Sequence, residues 1–415
     1  MQIAYPLKFY KMKYVLLILF FCCTNVVCYS NNYKKVQSVA KLRNKNFTIN
    51  LPVEIKNNKY VLPNVRLNGS KKVYRFLLDT GAQSSCISQE VHDELGLLSC
   101  FSDSISDGIS KMHVKFSFLD VSFNDIHFDK VGVSVLSNSS LNPSWDCSNI
   151  DGIIGYNLMR SCIWSLDSKG VVITNKLSNL KSVGLKQKEK ISKGDSPFVV
   201  GHFVDGFRAT MLFDLGDNGT FEVKNNYLKY LRTKKIRRGK GSLYTTVLGD
   251  IQDTTTSKIV HLPGFIFEND TLRNVISYVG PGIGDTNIAS IGAGILNNFK
   301  LTFDFPKRHL YVLKKNENFN VSKFFNCGFE YRIVQKKMFI RFVWNDTDAE
   351  RAGLMPDQQI LRINSIDFSE VNNLETCELK KIVKEELGKK QIELEVKGRD
   401  DIVILNKMKL EKNMY

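Results

Sequence analysis

No CxxC pair occurs in this chain of 415 residues, and its six histidines, His92, His113, His127, His202, His261 and His309, share no metal-ligand spacing. Zinc and dithiol redox sites are therefore not indicated, and neither a metal nor any other cofactor is expected. No Ser/His/Asp or Cys/His order stands out, so the sequence offers no nucleophile-base pair of that kind. Nucleic-acid motifs are missing too, although the net charge is +16. That charge sits largely in the runs Lys181 to Lys193 and Arg232 to Lys240, which read as solvated linker and loop, and no nucleic-acid partner is expected. The apolar run Tyr14 to Cys28 is short for a spanning helix, which needs about 20 residues.

What is present is globular: 43% hydrophobic and 24% charged residues. Lys8, Lys11 and Lys13 precede the apolar run, and Cys28-Tyr29-Ser30 puts small residues where a signal peptidase cuts. Residues 1–30 read as an export signal to a bacterial cell envelope, with an uncleaved membrane anchor as the alternative. Lipidation at Cys22, Cys23 or Cys28 lacks the small residues expected before it. Beyond the leader remain Cys86, Cys100, Cys147, Cys162, Cys327 and Cys377. Export permits disulfides among them, while most read as buried thiols.

Residues 31–46 are a polar lead-in. From Phe47 short alternating runs (FTINLPVEI, YVLPNVRL, VYRFLLD) broken by Asn-Asn and Asn-Gly predict strands and hairpins. After the charged linker 181–195 this pattern restarts, and Met211-Leu212-Phe213 leads into Asp214-Leu215-Gly216 as Phe76-Leu77-Leu78 leads into Asp79-Thr80-Gly81. Placing Gly155 on Gly292 aligns Trp164 with Leu301, Leu166 with Phe303 and Asp167 with Asp304 without a gap. Acid and glycine are 76 residues apart in the first copy and 78 in the second. Two ordered matches predict two copies of one β unit, residues 47–180 and 196–314. Each copy ends an apolar strand in an acid.

A carboxylate at such a place must find partners or shift its pKa. Two of them facing one another hold one proton between them and titrate as a pair. The ionised member can take a proton from water while the neutral one donates to a peptide carbonyl. Taken alone, Asp79-Thr80-Gly81 also fits a plain strand-and-turn; the repeat favours a site.

The stretches FLLDTGA and MLFDLG, with Ile153-Ile154-Gly155 and Ser290-Ile291-Gly292, resemble aspartic proteases of the retropepsin and pepsin type, in a two-lobed single chain. The resemblance covers residues 47–313 and implies a mainly β fold of two acid-protease lobes. It implies Asp79 and Asp214 as the catalytic pair, with Thr80, Gly81 and Gly216 in the supporting loops. Ile154, Gly155, Ile291 and Gly292 would cross behind them. A polypeptide substrate and a monomer follow from it. The family has Thr or Ser after each acid, and Leu215 departs from this; Asp217 adds a third carboxylate where the first copy has Ala82. This leaves a degenerate, non-hydrolysing peptide binder as the alternative. Ser106 to Ser110 and Gly239 to Ser242 are candidate flap turns.

Residues 321–412 form a compact α+β pattern. The segment DAERAGLMPDQQILRINS resembles a PDZ domain, with Asp357-Gln358 in place of the usual Gly-Asp. The resemblance implies a groove for an extended peptide or C-terminus between Gly328 to Ile333 and the helix Glu375 to Leu387.

Overall fold

The computed structural model describes residues 34–106, 111–142, 147–180, 188–192, 194, 196–224, 228, 230, 236–241, 245–246, 249–250, 258–262, 264–267, 270–273, 275–280, 289–315, 325–369 and 374–409. Residues 1–30, expected to be an export signal, most of the 181–195 linker and residues 107–110 of the SDGIS turn lie outside them.

The chain is mainly β. Asn57 and Asn58 (φ 51° and 62°) turn strand Glu54–Lys56 into Lys59–Leu67, and Asn68 and Gly69 (φ 48° and 72°) reverse the chain again. Both turns use the left-handed backbone that Asn and Gly tolerate. The hairpin Phe101–Ser106 with Lys111–Phe123 reaches its end at the candidate flap turn.

A six-stranded sheet joins the two copies, in the order Lys188–Lys190, His309–Lys314, Phe299–Asp304, Ile163–Asp167, Gly170–Thr174, Thr48–Leu51. At its centre two strands run antiparallel with Ser165 opposite Thr302, Trp164 opposite Phe303 and Leu166 opposite Leu301. The ungapped alignment that puts Gly155 on Gly292 puts Ser165 on Thr302. A residue that pairs with its own counterpart lies on a two-fold axis, so the register is that of a repeat closing on itself. The Ser165 and Thr302 hydroxyls hydrogen-bond there at 2.9 Å. One apolar core runs through both copies, with Phe76, Leu78 and Trp164 from the first and Phe213, Leu215 and Phe303 from the second.

Residues 327–405 build a separate core around Met338, Ile340, Ile360, Leu379, Val383 and Leu394. The elements follow in the order Phe329–Val334, Lys337–Trp344, helix Asp348–Arg351, Gln359–Ile363, helix Thr376–Leu387, Gln391–Val396 and Val403–Asn406. Asp357 adopts φ 69° in the turn where Gly was expected, a conformation that Asp tolerates better than most side chains.

Two features differ from the sequence reading. Gly239 to Gly241 is not a hairpin tip: it lies in strand Ile236–Gly241, which pairs with Lys337–Trp344, Gly239 opposite Trp344 and Gly241 opposite Phe342. An added Cβ at Gly239 would run into Val343 O, so these glycines permit two backbones to meet. This pairing carries the sheet of the second copy on into the C-terminal unit. Arg237, expected in a solvated run, is buried in the same seam, its Nη1 donating to Asn345 O at 2.8 Å.

The cysteines divide. Cys86, Cys162 and Cys327 are buried thiols and Cys100 is an exposed one, whereas Cys147 and Cys377 form a disulfide. It ties the first copy to the helix Thr376–Leu387, so the C-terminal unit is held by a strand on one copy and by a covalent bond on the other. Because this bond closes a loop across 230 residues, its removal by Cys147→Ser with Cys377→Ser should cost about 2–4 kcal/mol. A urea midpoint that stays put in the double variant would contradict this.

Candidate active site

The residues leading to each acid are core residues: Phe76, Leu77 and Leu78 before Asp79, and Met211 and Phe213 before Asp214. A second strand runs parallel behind each loop. Gly152–Ile154 lies beside Tyr74–Leu78 with Ile154 opposite Leu78, and Ala289–Gly292 lies beside Arg208–Asp214 with Gly292 opposite Asp214. Asp79 N–H donates to Ile154 O at 3.1 Å. Gly155 and Gly292 are needed where these strands pass the loops: a Cβ on Gly155 would stand 2.5 Å from the Ser84 carbonyl carbon, and one on Gly292 2.8 Å from Asp217 O. Ile154 and Ile291 are fully buried.

The loops treat the two carboxyls alike. Gly81 and Ala82 N–H donate to Asp79 Oδ1 at 2.7 and 3.0 Å, and Gly216 and Asp217 N–H donate to Asp214 Oδ1 at 2.9 and 3.3 Å. The acids share a hydrogen bond with each other. Each rests on the opposite glycine: a Cβ on Gly81 would lie 2.7 Å from Asp214 Cγ, and one on Gly216 2.6 Å from Asp79 Cγ.

Thr80 crosses between the lobes. Its hydroxyl donates to Phe213 O at 2.6 Å and accepts from Leu215 N–H at 3.0 Å, with Thr80 and Leu215 both fully buried. A hydroxyl at 215 would make the mirror-image pair of bonds; Leu215 instead fills the common core. One of the two cross-lobe ties therefore remains. Thr80→Val should strand two buried backbone groups at a cost of about 2–4 kcal/mol, while Thr80→Ser should not. Equal chemical unfolding midpoints for the two variants would contradict the tie.

Burial raises both carboxyls above the ordinary 3.8. For Asp79 the rise is opposed by the Ala82 N–H and by the hydrogen bond from Asp214. For Asp214 the charges of Asp79 and Asp217 add to burial and lift it further. The pair therefore keeps one proton between them and titrates as a unit, with the Asp217 charge acting on the Asp214 side.

All nine residues singled out in the sequence converge: Asp79, Thr80, Gly81, Asp214 and Gly216 at the contact, Ile154, Gly155, Ile291 and Gly292 directly behind. Asn157 had no signal in the sequence. Its fully buried amide accepts from Ser85 N–H at 2.9 Å and donates to Val36 O and Gly132 O at 3.0 and 2.8 Å. Ser85 Oγ in turn accepts from Gly155 N–H at 3.0 Å, so Asn157 fixes the crossing behind Asp79.

A mainly β chain of two related lobes, each bringing one acid to a shared hydrogen bond, is the class that fold and site define. Residues 64–158 match the aspartyl protease family. That segment holds the Asp79 loop and the Ile154-Gly155 crossing, and Asp214 lies beyond it. Among solved structures the chain is similar to the aspartic proteinase from Irpex lacteus, at 12% identity and a TM-score of 0.46, over 66% of this chain and 100% of that one. No curated protein matches it.

Proposed function

We propose that the protein is an exported aspartic endopeptidase that hydrolyses peptide bonds with a water activated between Asp79 and Asp214. The observation that carries this reading is the reciprocal seating of each carboxyl on the other loop's glycine, with one proton held between two raised pKa values. Asp79 takes a proton from the water, whose oxygen bonds to the peptide carbon. Asp214 gives its proton to the carbonyl oxygen, forming a neutral tetrahedral diol. Proton transfer to the amide nitrogen then accompanies cleavage of the C–N bond, and the pair returns to one shared proton. Neither step calls on a cofactor.

In this reading the C-terminal unit is PDZ-like and recruits or positions substrate. Strand Phe329–Val334 pairs, among the described residues, with Lys337–Trp344 alone, and an extended peptide would add along its other side, beside helix Thr376–Leu387. The Cys147–Cys377 disulfide supports export to an oxidising compartment. The chain would work as a monomer, since both acids come from one polypeptide.

Leu215 favours a second reading, a peptide-binding envelope protein on the same scaffold that does not hydrolyse. Incubating the mature wild-type chain with an unfolded protein at mildly acid pH, and identifying new termini by mass spectrometry, separates the two. Binding without new termini would sink the peptidase.

A further inference from the structure

The two lobes differ sharply beside their acids, and strand register makes the comparison residue by residue. In the first lobe Ile153 lies opposite Cys86, with Ala82 against the same apolar cluster. In the second, Ser290 lies opposite Glu222, with Asp217 at the place of Ala82. Cys86 is flanked on its parallel neighbour by Ser134, and Glu222 by Tyr278. An apolar patch in one lobe is therefore an ionisable one in the other. The backbone role is shared: Ala82 O accepts from Tyr156 N–H at 2.8 Å, and Asp217 O accepts from Ala293 N–H at 2.7 Å. What the second lobe adds is the Asp217 carboxyl, whose Oδ1 accepts from Gly219 N–H at 2.7 Å.

We propose that Asp217 is a positioning residue for the carboxyl pair: backed by Glu222, it makes Asp214 the proton-bearing member and keeps it so toward neutral pH. This rests on the peptidase reading. The groups facing Asp217 are Asp214 at the end of its strand, Glu222 and Lys224 on Phe221–Lys224, Ser290 on Ala289–Gly292 and Tyr278 on Val275–Gly280. Lys224 Nζ is held by Glu222 Oε1 at 2.6 Å, so part of its charge is already engaged. Burial and the Glu222 charge push Asp217 up to about 6. Below that pH it is neutral and leaves Asp214 undisturbed; above it, its negative charge opposes ionisation of Asp214 and keeps the proton there. The first lobe has Ala82 at the matching place, so the asymmetry also assigns the roles of the two acids.

The sign for stability follows. An acid whose folded pKa lies above its unfolded value favours the fold when protonated. That contribution is full below the ordinary 3.8 and is lost as pH rises through about 6. Asp217→Asn, always neutral, should match the wild type in thermal midpoint below about pH 4 and exceed it above about pH 6.

The experiment takes the mature chain, Asp217→Asn, Asp217→Ala and Asp217→Glu, and measures kcat/KM from pH 3 to 8 together with thermal midpoints. The Asn and Ala variants should keep the acid limb of the rate profile and lose the alkaline limb about one pH unit earlier, with Asp217→Glu restoring it. A uniform fall in rate with the alkaline limb unmoved would overturn the proposal, leaving a structural role only. If wild type and variants all fail to cleave, the peptidase reading falls, and the thermal midpoints still decide the titration: a gap that opens between pH 4 and 7 supports it, and parallel curves reject it.

Discussion

On the proposed peptidase reading, Asp79→Asn and Asp214→Asn should each remove hydrolysis, by about 10³–10⁴-fold, while leaving the fold in place. Asn keeps the size of the side chain and the oxygen that accepts from Gly81 and Ala82 or from Gly216 and Asp217. What it cannot do is ionise, so Asp79→Asn loses the base. In Asp214→Asn the neutral amide holds no transferable acid proton. Because the Asp79 charge raises Asp214 while the hydrogen bond from Asp214 opposes the rise of Asp79, Asp214→Asn also frees Asp79 of a partner, and its ionisation should move in a direct titration. The measurement is product formation from an unfolded protein at mildly acid pH, with circular dichroism to verify folding. The two variants should be equally silent, alone and mixed. Activity in Asp214→Asn alone would point instead to two chains sharing Asp79.

Gly216→Ala and Gly81→Ala should cost at least about a hundredfold in kcat, comparable to moving a reacting group by about 1 Å. The added methyl on Gly216 would lie 2.6–2.8 Å from the Asp79 carboxyl atoms, and on Gly81 2.7 Å from those of Asp214. Either the carboxyl or the loop has to shift, and both are fixed by the same N–H groups. Gly170→Ala is the control, since a methyl there meets nothing within 4 Å. Equal rates in Gly216→Ala and Gly170→Ala would mean that the acids are not seated across the loops.

Much of the site is readable in the sequence because local pattern builds it. Apolar triplets ending in Asp79 and Asp214 and the crossings at Gly155 and Gly292 are short-range signals repeated in order. Asn57-Asn58 and Asn68-Gly69 likewise announce their turns. The turn at Gln335 and Lys336, with φ 48° and 62°, carries no such signal, because neither residue is a favoured left-handed type.

What the sequence hides is set by distant pairing. Gly-Lys-Gly at 239–241 has the composition of a turn, and only the approach of the strand holding Trp344 makes it a strand. Burial of Arg237 follows from that same seam. Connectivity of Cys147 with Cys377 cannot be deduced from spacing. The ionisable patch beside Asp214 arises because strand register puts Glu222 opposite Ser290, next to Asp217. Leu215 had suggested a damaged motif; its backbone N–H still bonds to Thr80, so the cross-lobe tie persists through the first lobe's hydroxyl.

The most direct measurement is calorimetric titration of the mature chain with a peptide whose scissile amide is replaced by a hydroxyl-bearing carbon, a mimic of the tetrahedral diol. A single-chain site with both acids predicts one mimic bound per chain, tight at mildly acid pH and weakened in both Asp→Asn variants. One mimic per two chains, or binding indifferent to Asp79→Asn and Asp214→Asn, would contradict it.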